Sequence, residues 1–382
     1  MPFFGDLTKL FSSQGPVNWE VARQIATWTA TEGEPEANVD PLERIRLEEL
    51  CRVAELHVAD VTGLSTSPSG RRVAVRPVGR GEWAGLTLTA YRTPLERLAT
   101  SLGQATVDAA DPSALGEDEL EQGQAELLGG FAQMMSPLLL GMQSGFMVGH
   151  LSRRSLGQYD LPIPRPLDED LTVIVPNLLA FAEDWSLPPD DVRLWVCIDL
   201  VAHHAVLAVP HVRERLEGLL LEYVGGFRTD PSGLESQLGS IDPSDPSSWE
   251  RTFGSPDQVL GAMQTEEQRR LLPRIEAVTA VVEGYVDHVM DTVGQNLIGS
   301  YGPLTEALRR RRVERNDGDR FVERLLGLAL NQAQYDRGAR FIRGIVERAG
   351  EDGLLRLWRS DAELPTPAEV DAPGLWWERI NL

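Results

Sequence analysis

The chain has 382 residues, 42% of them hydrophobic and 25% charged, which is the balance of a globular protein with a sizeable core. A net charge of −22 excludes nucleic acid and anionic membrane as main partners, because both would repel it. No uncharged apolar run reaches the roughly eighteen residues of a membrane span, and the first residues lack the basic start and apolar core of a secretory signal. With only Cys51 and Cys197 present, no disulfide framework is expected, and the expected location is the cytoplasm.

The elements follow in chain order. Residues 1–15 could form at most a short amphipathic turn. Val21, Ile25 and Trp28 recur at helical spacing in PVNWEVARQIATWT. Asp40-Pro41 predicts a helix start, with Leu42, Ile45, Leu50, Val53, Leu56 and Val58 as its buried stripe. His57 and His150 read as core or boundary residues. SGRRVAVRPV alternates like a strand that Pro77 confines to an edge, and helical periodicity runs from Trp83 to Leu102. After an acidic linker (Asp108–Asp118), a helix from about Glu119 carries Leu127, Phe131, Met134 and Met135. Gly141, Gly145 and Gly149 in its continuation allow close packing. LTVIV (171–175) is a second short strand. A long loop is predicted over 229–258, rich in Ser, Asp, Gly and Pro. Arg309–Arg312 reads as a solvated face, and Trp376 and Trp377 as tail residues docking on the body. The fold expected is mainly α with a small β component. It divides into a mostly helical region, 1–165, and a helical region, 166–382, that carries the site, or forms one continuous domain.

The chemistry concentrates in Leu194–Leu216, LWVCIDLVAHHAVLAVPHVRERL, apolar on nearly every side. Asp199 and His203, four residues apart, lie one above the other on a single helical face. A buried helix holding two polar groups in register is a metal-ligand platform or the remnant of one. The zinc-peptidase pattern H-E-x-x-H uses the same spacing, with two His on the metal and Glu as the base. Here the pentad reads Asp199-Leu200-Val201-Ala202-His203, so the first His is a carboxylate and the base is a leucine. His204 and His211 are not spaced to join that face. A second long helix starts at the capping box Thr265–Gln268. It carries Glu283 and Asp287 four apart among apolar neighbours, and two carboxylates there repel unless a cation, proton or donor intervenes.

These stretches, with LGQYDLPIP, VEGYVDHVMD, LLGLALNQAQYDRGARF and the tail LPTPAEVDAPGLWWERI, resemble a bacterial family of zincin-like metallopeptidases over most of the chain. Its members are also called hydrolases or coenzyme-F420-biosynthesis-associated proteins. The resemblance implies a zincin-like helical core, zinc as cofactor, His203 as the second motif His and Glu283 of Glu283-Gly284-Tyr285 as the third ligand. Asp199 then stands in the first ligand's place, with Tyr285 and Asp287 as further cleft candidates. Leucine cannot take a proton from a metal-bound water, so the motif is degenerate. Two readings stay open: a catalytically inactive pseudoenzyme that binds a peptide, protein or small-molecule ligand, and a hydrolase with an altered Asp/His/Glu metal site and a recruited base. A satisfied buried trio without metal is the blander alternative for the same residues.

Overall fold

Asp40 caps the helix that follows it through a bond from the Leu42 amide (2.9 Å), with Pro41 in the first turn, where no amide donor is needed. The computed structural model describes residues 15–67, 70–109, 119–166, 170–227, 265–313, 317–328 and 331–382. The expected N-terminal turn, most of the acidic linker, the 229–258 loop and the side chains of Leu127, Phe131, Met134 and Met135 lie outside these described parts. The helices are α1 (Trp19–Thr31), α2 (Pro41–Thr62), α3 (Arg80–Ala90), α4 (Arg92–Ala109), α5 (Glu119–Ser152), α6 (Val175–Asp184), α7 (Pro189–Leu207) and α8 (Pro210–Gly225). After the gap come α9 (Glu266–Leu297), α10 (Tyr301–Val313), α11 (Asp317–Leu326), α12 (Gln332–Ala349), α13 (Pro367–Asp371) and α14 (Pro373–Ile380). The protein is mainly α. Among the described residues its β strands form one parallel pair, β1 (Ala74–Val78) with β2 (Asp170–Ile174), in which Pro77 sits opposite Val173. Each strand of a two-stranded sheet keeps an open edge, which is why a proline is tolerated.

Two expectations are corrected here. The apolar periodicity over 83–102 divides into α3 and α4 at Tyr91. More consequentially, the large aliphatics Leu42, Ile45, Val53 and Leu56 of α2 face outward. The buried face is Leu47, Cys51, Ala54 and Val58, small enough to let α2 lie close on α7. Sequence periodicity locates an apolar face but does not say which of two such faces meets the core.

Two glycine crossings set the helix spacing. On α5, a Cβ at Gly141 would lie 2.5 Å from the Asn18 carbonyl oxygen, so α1 nests on the row of small residues. On α9 and α12, a Cβ at Gly338 would lie 1.9 Å from the Ala280 oxygen, and one at Gly284 would lie 2.3 Å from the Gly338 carbonyl carbon. No other residue permits that approach. It brings Glu283 of α9 against the first turn of α12.

Helix α7 is buried along almost its whole length, from Val192 to Leu207. Its outer end is tied to α2 by a buried ion pair, in which Arg193 donates from Nε and Nη2 to Glu43 (2.8 and 2.7 Å). The chain turns by 87° between α7 and α8 at Pro210. No single helix among the described residues is long and apolar enough to cross a membrane. Trp376 docks as expected, fully buried with its ring 5.7 Å from Phe341.

Candidate metal and ligand site

Because α7 is buried, any polar side chain it carries must find its partner inside the protein. Asp199 and His203 project together towards α9, where Glu283 faces them. His203 is enclosed: its Nδ1–H donates to the Asp199 carbonyl oxygen (3.0 Å), and Asp199 Oδ1 lies 3.3 Å from the same nitrogen. On the opposite edge of the ring, Nε2 stands 3.5 Å from Glu283 Oε1 and has no hydrogen-bond partner. Tyr159 stacks on the imidazole face, with centroids 5.9 Å apart and planes 18° apart. Burial alone would push the His203 pKa down, but Asp199 first and then Glu283 outweigh it and hold it well above the ordinary value. The ring thus lies between two carboxylates, one at each edge.

The three residues line a cavity of about 130 Å³. Sequence reasoning missed several of its other walls. Arg311 and Arg312 were expected on a solvated face, yet both turn inward. Arg311 pairs with Asp160 (2.8 Å), and Arg312 holds Asp287 with two bonds (2.9 and 3.1 Å). Four consecutive helical residues span most of a helix's circumference, so some of the four arginines had to face the body. Arg312 also lies 3.9 Å over the Tyr335 ring. Its guanidinium is the donor the Glu283/Asp287 pair required, and both carboxylates raise its pKa against the opposing effect of burial. Tyr335 belongs to α12, one turn before Gly338, so the glycine crossing places it. Burial, and then Glu283, push its hydroxyl pKa far up. Asp160 accepts from the Leu156 and Gly157 amides (3.0 and 3.1 Å), and burial raises its pKa despite Arg311.

The other candidates fall elsewhere. Asp287 faces a second, outer hollow of about 360 Å³ that shares Trp195, Leu308, Arg312 and Tyr335 with the first. Tyr285 is not in the cleft. It packs edge-on against Trp358 at 4.8 Å, and burial pushes its pKa up to about 12. His204 is buried, sharing a 3.0 Å hydrogen bond with the Tyr159 hydroxyl. Leu200 is 1% exposed and outside the cavity wall. It fills the space beside Gly157, where a Cβ would come within 2.8 Å of its Cδ2.

Whether these residues suit zinc is a matter of where the donors point. Two ligands at about 2.0–2.1 Å from a tetrahedral ion stand about 3.4 Å apart, so His203 Nε2 and Glu283 Oε1 have a fitting span. The third donor does not join them, because the Asp199 carboxylate lies at the Nδ1 edge of the ring. Among the described residues no group of three or more His, Cys, Asp or Glu side chains is placed to hold a metal ion. The donor set, as folded, does not fit a three-ligand zinc site.

Within a mainly helical body, one buried helix thus presents Asp199 and His203 to a glutamate on a second long helix. The chain belongs to the zincin-like metallopeptidase family, whose model matches residues 17–377. It is also similar to a crystal structure of a "putative hydrolase with a novel fold" from Chloroflexus aurantiacus. The identity is 25% and the TM-score 0.62, over 96% of this chain and 99% of that one. No curated protein matches the sequence. Zinc is the metal the family implies.

Proposed function

We propose that this protein is a non-catalytic member of its family, which binds a peptide, protein or small-molecule ligand at the cavity beside His203. The observation that carries the reading is Leu200. It occupies the position of the general base, carries no proton acceptor and is packed into the core beside Gly157. Losing a general base costs about a hundred- to ten-thousand-fold in rate. The position of the Asp199 carboxylate supports the same reading, because it lies at the Nδ1 edge of His203 and does not join Nε2 and Glu283 as a third donor. What the site offers a ligand is the cavity itself, with carboxylates, arginines and two tyrosines around it.

The competing reading, a hydrolase with an altered metal site, draws on the 3.5 Å span between His203 Nε2 and Glu283 Oε1. It would still need a third donor and a base. A peptide-library digest with added zinc, read by mass spectrometry, separates the two. Intact peptides, some of them retained by the protein and released by Asp199→Ala, are the expected result. Chelator-sensitive cleavage that disappears in His203→Ala would overturn the proposal.

A further inference from the structure

The outer face of α2 is as ordered in its pattern as the inner one. Leu42, Ile45, Glu49, Val53, Leu56 and Asp60 follow one another at steps of three and four residues, which puts them in a single stripe. The four apolar members are 53%, 54%, 39% and 69% exposed, although aliphatics of this size are usually buried. The stripe from Leu42 to Asp60 runs about 27 Å along the helix, at about 1.5 Å per residue. Their partner is not the core, because Leu47, Cys51, Ala54 and Val58 on the opposite side already fill that role.

We propose that this stripe is the interface by which two copies of the chain pair, their α2 helices antiparallel about a two-fold axis near residue 51. The charges along the seam select both the partner and the direction. Arg46 and Arg52 border the stripe, while Glu49 and Asp60 lie within it; all four are exposed. Glu49, Arg52 and Asp60 form no hydrogen bond or ion pair with other described residues. Antiparallel pairing sets Glu49 beside Arg52 of the second copy and brings Asp60 within a turn of Arg46. The aliphatics of one half then lie against those of the other. Parallel pairing would stack Glu49 on Glu49 and Asp60 on Asp60, which repel. A self-complementary patch of this kind is what an isologous dimer requires. With the seam buried, the flanking surface beyond α2 would complete the area of about 800 Å² per partner that stable dimers use.

The test is sedimentation equilibrium of the full chain over a range of concentrations at physiological salt. The expected species is a dimer, and Leu56→Glu should raise its dissociation constant about tenfold or more. Because Leu56 is exposed, the variant should keep the parent's circular dichroism. Arg52→Glu and Glu49→Arg should each weaken the dimer, and the double variant should regain most of the loss. A monomer at every concentration, or a dimer indifferent to all three substitutions, would overturn the proposal. So would single charge variants whose combination is no tighter than either alone, since that removes the antiparallel pairing.

Discussion

Replacing Asp199 by histidine tests whether the scaffold still encloses the geometry of a metal site. Imidazole extends farther from the backbone than the aspartate carboxylate, so its Nε2 can pass the edge of His203 and reach the space between that ring and Glu283. The parent offers two donors 3.5 Å apart there, and the variant adds a third. The exchange also removes the carboxylate that does most to keep His203 protonated, so a metal competes with a more weakly held proton. Leu200→Glu is left out, because Leu200 is enclosed by Gly157 and a carboxylate there would be buried without a partner. At zinc one hundredfold above the dissociation constant, the folded state gains about 2.7 kcal/mol. The unfolding entropy is about 2.1 cal/mol/K per residue, or about 0.8 kcal/mol/K for this chain, so Tm should rise by about 3 °C. Calorimetric titration and melting curves with and without zinc, on parent and variant, provide the measurement. Equal affinities, or a variant whose Tm ignores zinc, would refute the argument that an imidazole at position 199 reaches the point between His203 and Glu283.

Three further outcomes follow from particular contacts. Arg193→Met leaves the buried Glu43 with only the exposed Arg46 as its partner (2.9 Å), a loss of about 3 kcal/mol or about 4 °C in Tm, read by thermal unfolding. Gly338→Ala puts a methyl group 1.9 Å from the Ala280 oxygen, so chemical denaturation should show a loss of about 3 kcal/mol or more, with the α9–α12 crossing forced apart. The raised pKa of His203 stabilises the fold fully below its unfolded value of about 6.5 and loses that contribution as pH climbs through the folded-state value. Tm should therefore fall as pH rises above neutrality, and His203→Gln should flatten that part of the profile.

Much of the site was legible because it rests on local spacing. The i, i+4 placement of Asp199 and His203 fixes a shared face whatever surrounds it, and the capping box at Thr265 fixes where α9 begins. Glu283 came from family resemblance, and the fold does bring it to His203. What the sequence did not disclose depends on long-range packing. The inward turn of Arg311 and Arg312 is set by how α10 lies against α9, more than a local pattern can encode. Tyr335 reaches the cavity only because Gly284 and Gly338 meet in space. On α2 the expected stripe is split, with Val58 buried and Leu50 packed on the core while Leu42, Ile45, Val53 and Leu56 face outward, since Cys51 and Ala54 make the close approach to α7 that only the assembled core reveals.

The same geometry explains how the trio is accommodated in the core. A helix as buried as α7 cannot carry Asp199 and His203 unless their charges are met within the protein. The His203 ring meets Asp199 on one edge and approaches Glu283 on the other, while Arg312 pairs with Asp287 next along α9. On the non-catalytic reading proposed above, their being together reflects the family's layout rather than a reaction. What distinguishes the two is the position that only chemistry would require to be polar, and that position is Leu200, packed against Gly157.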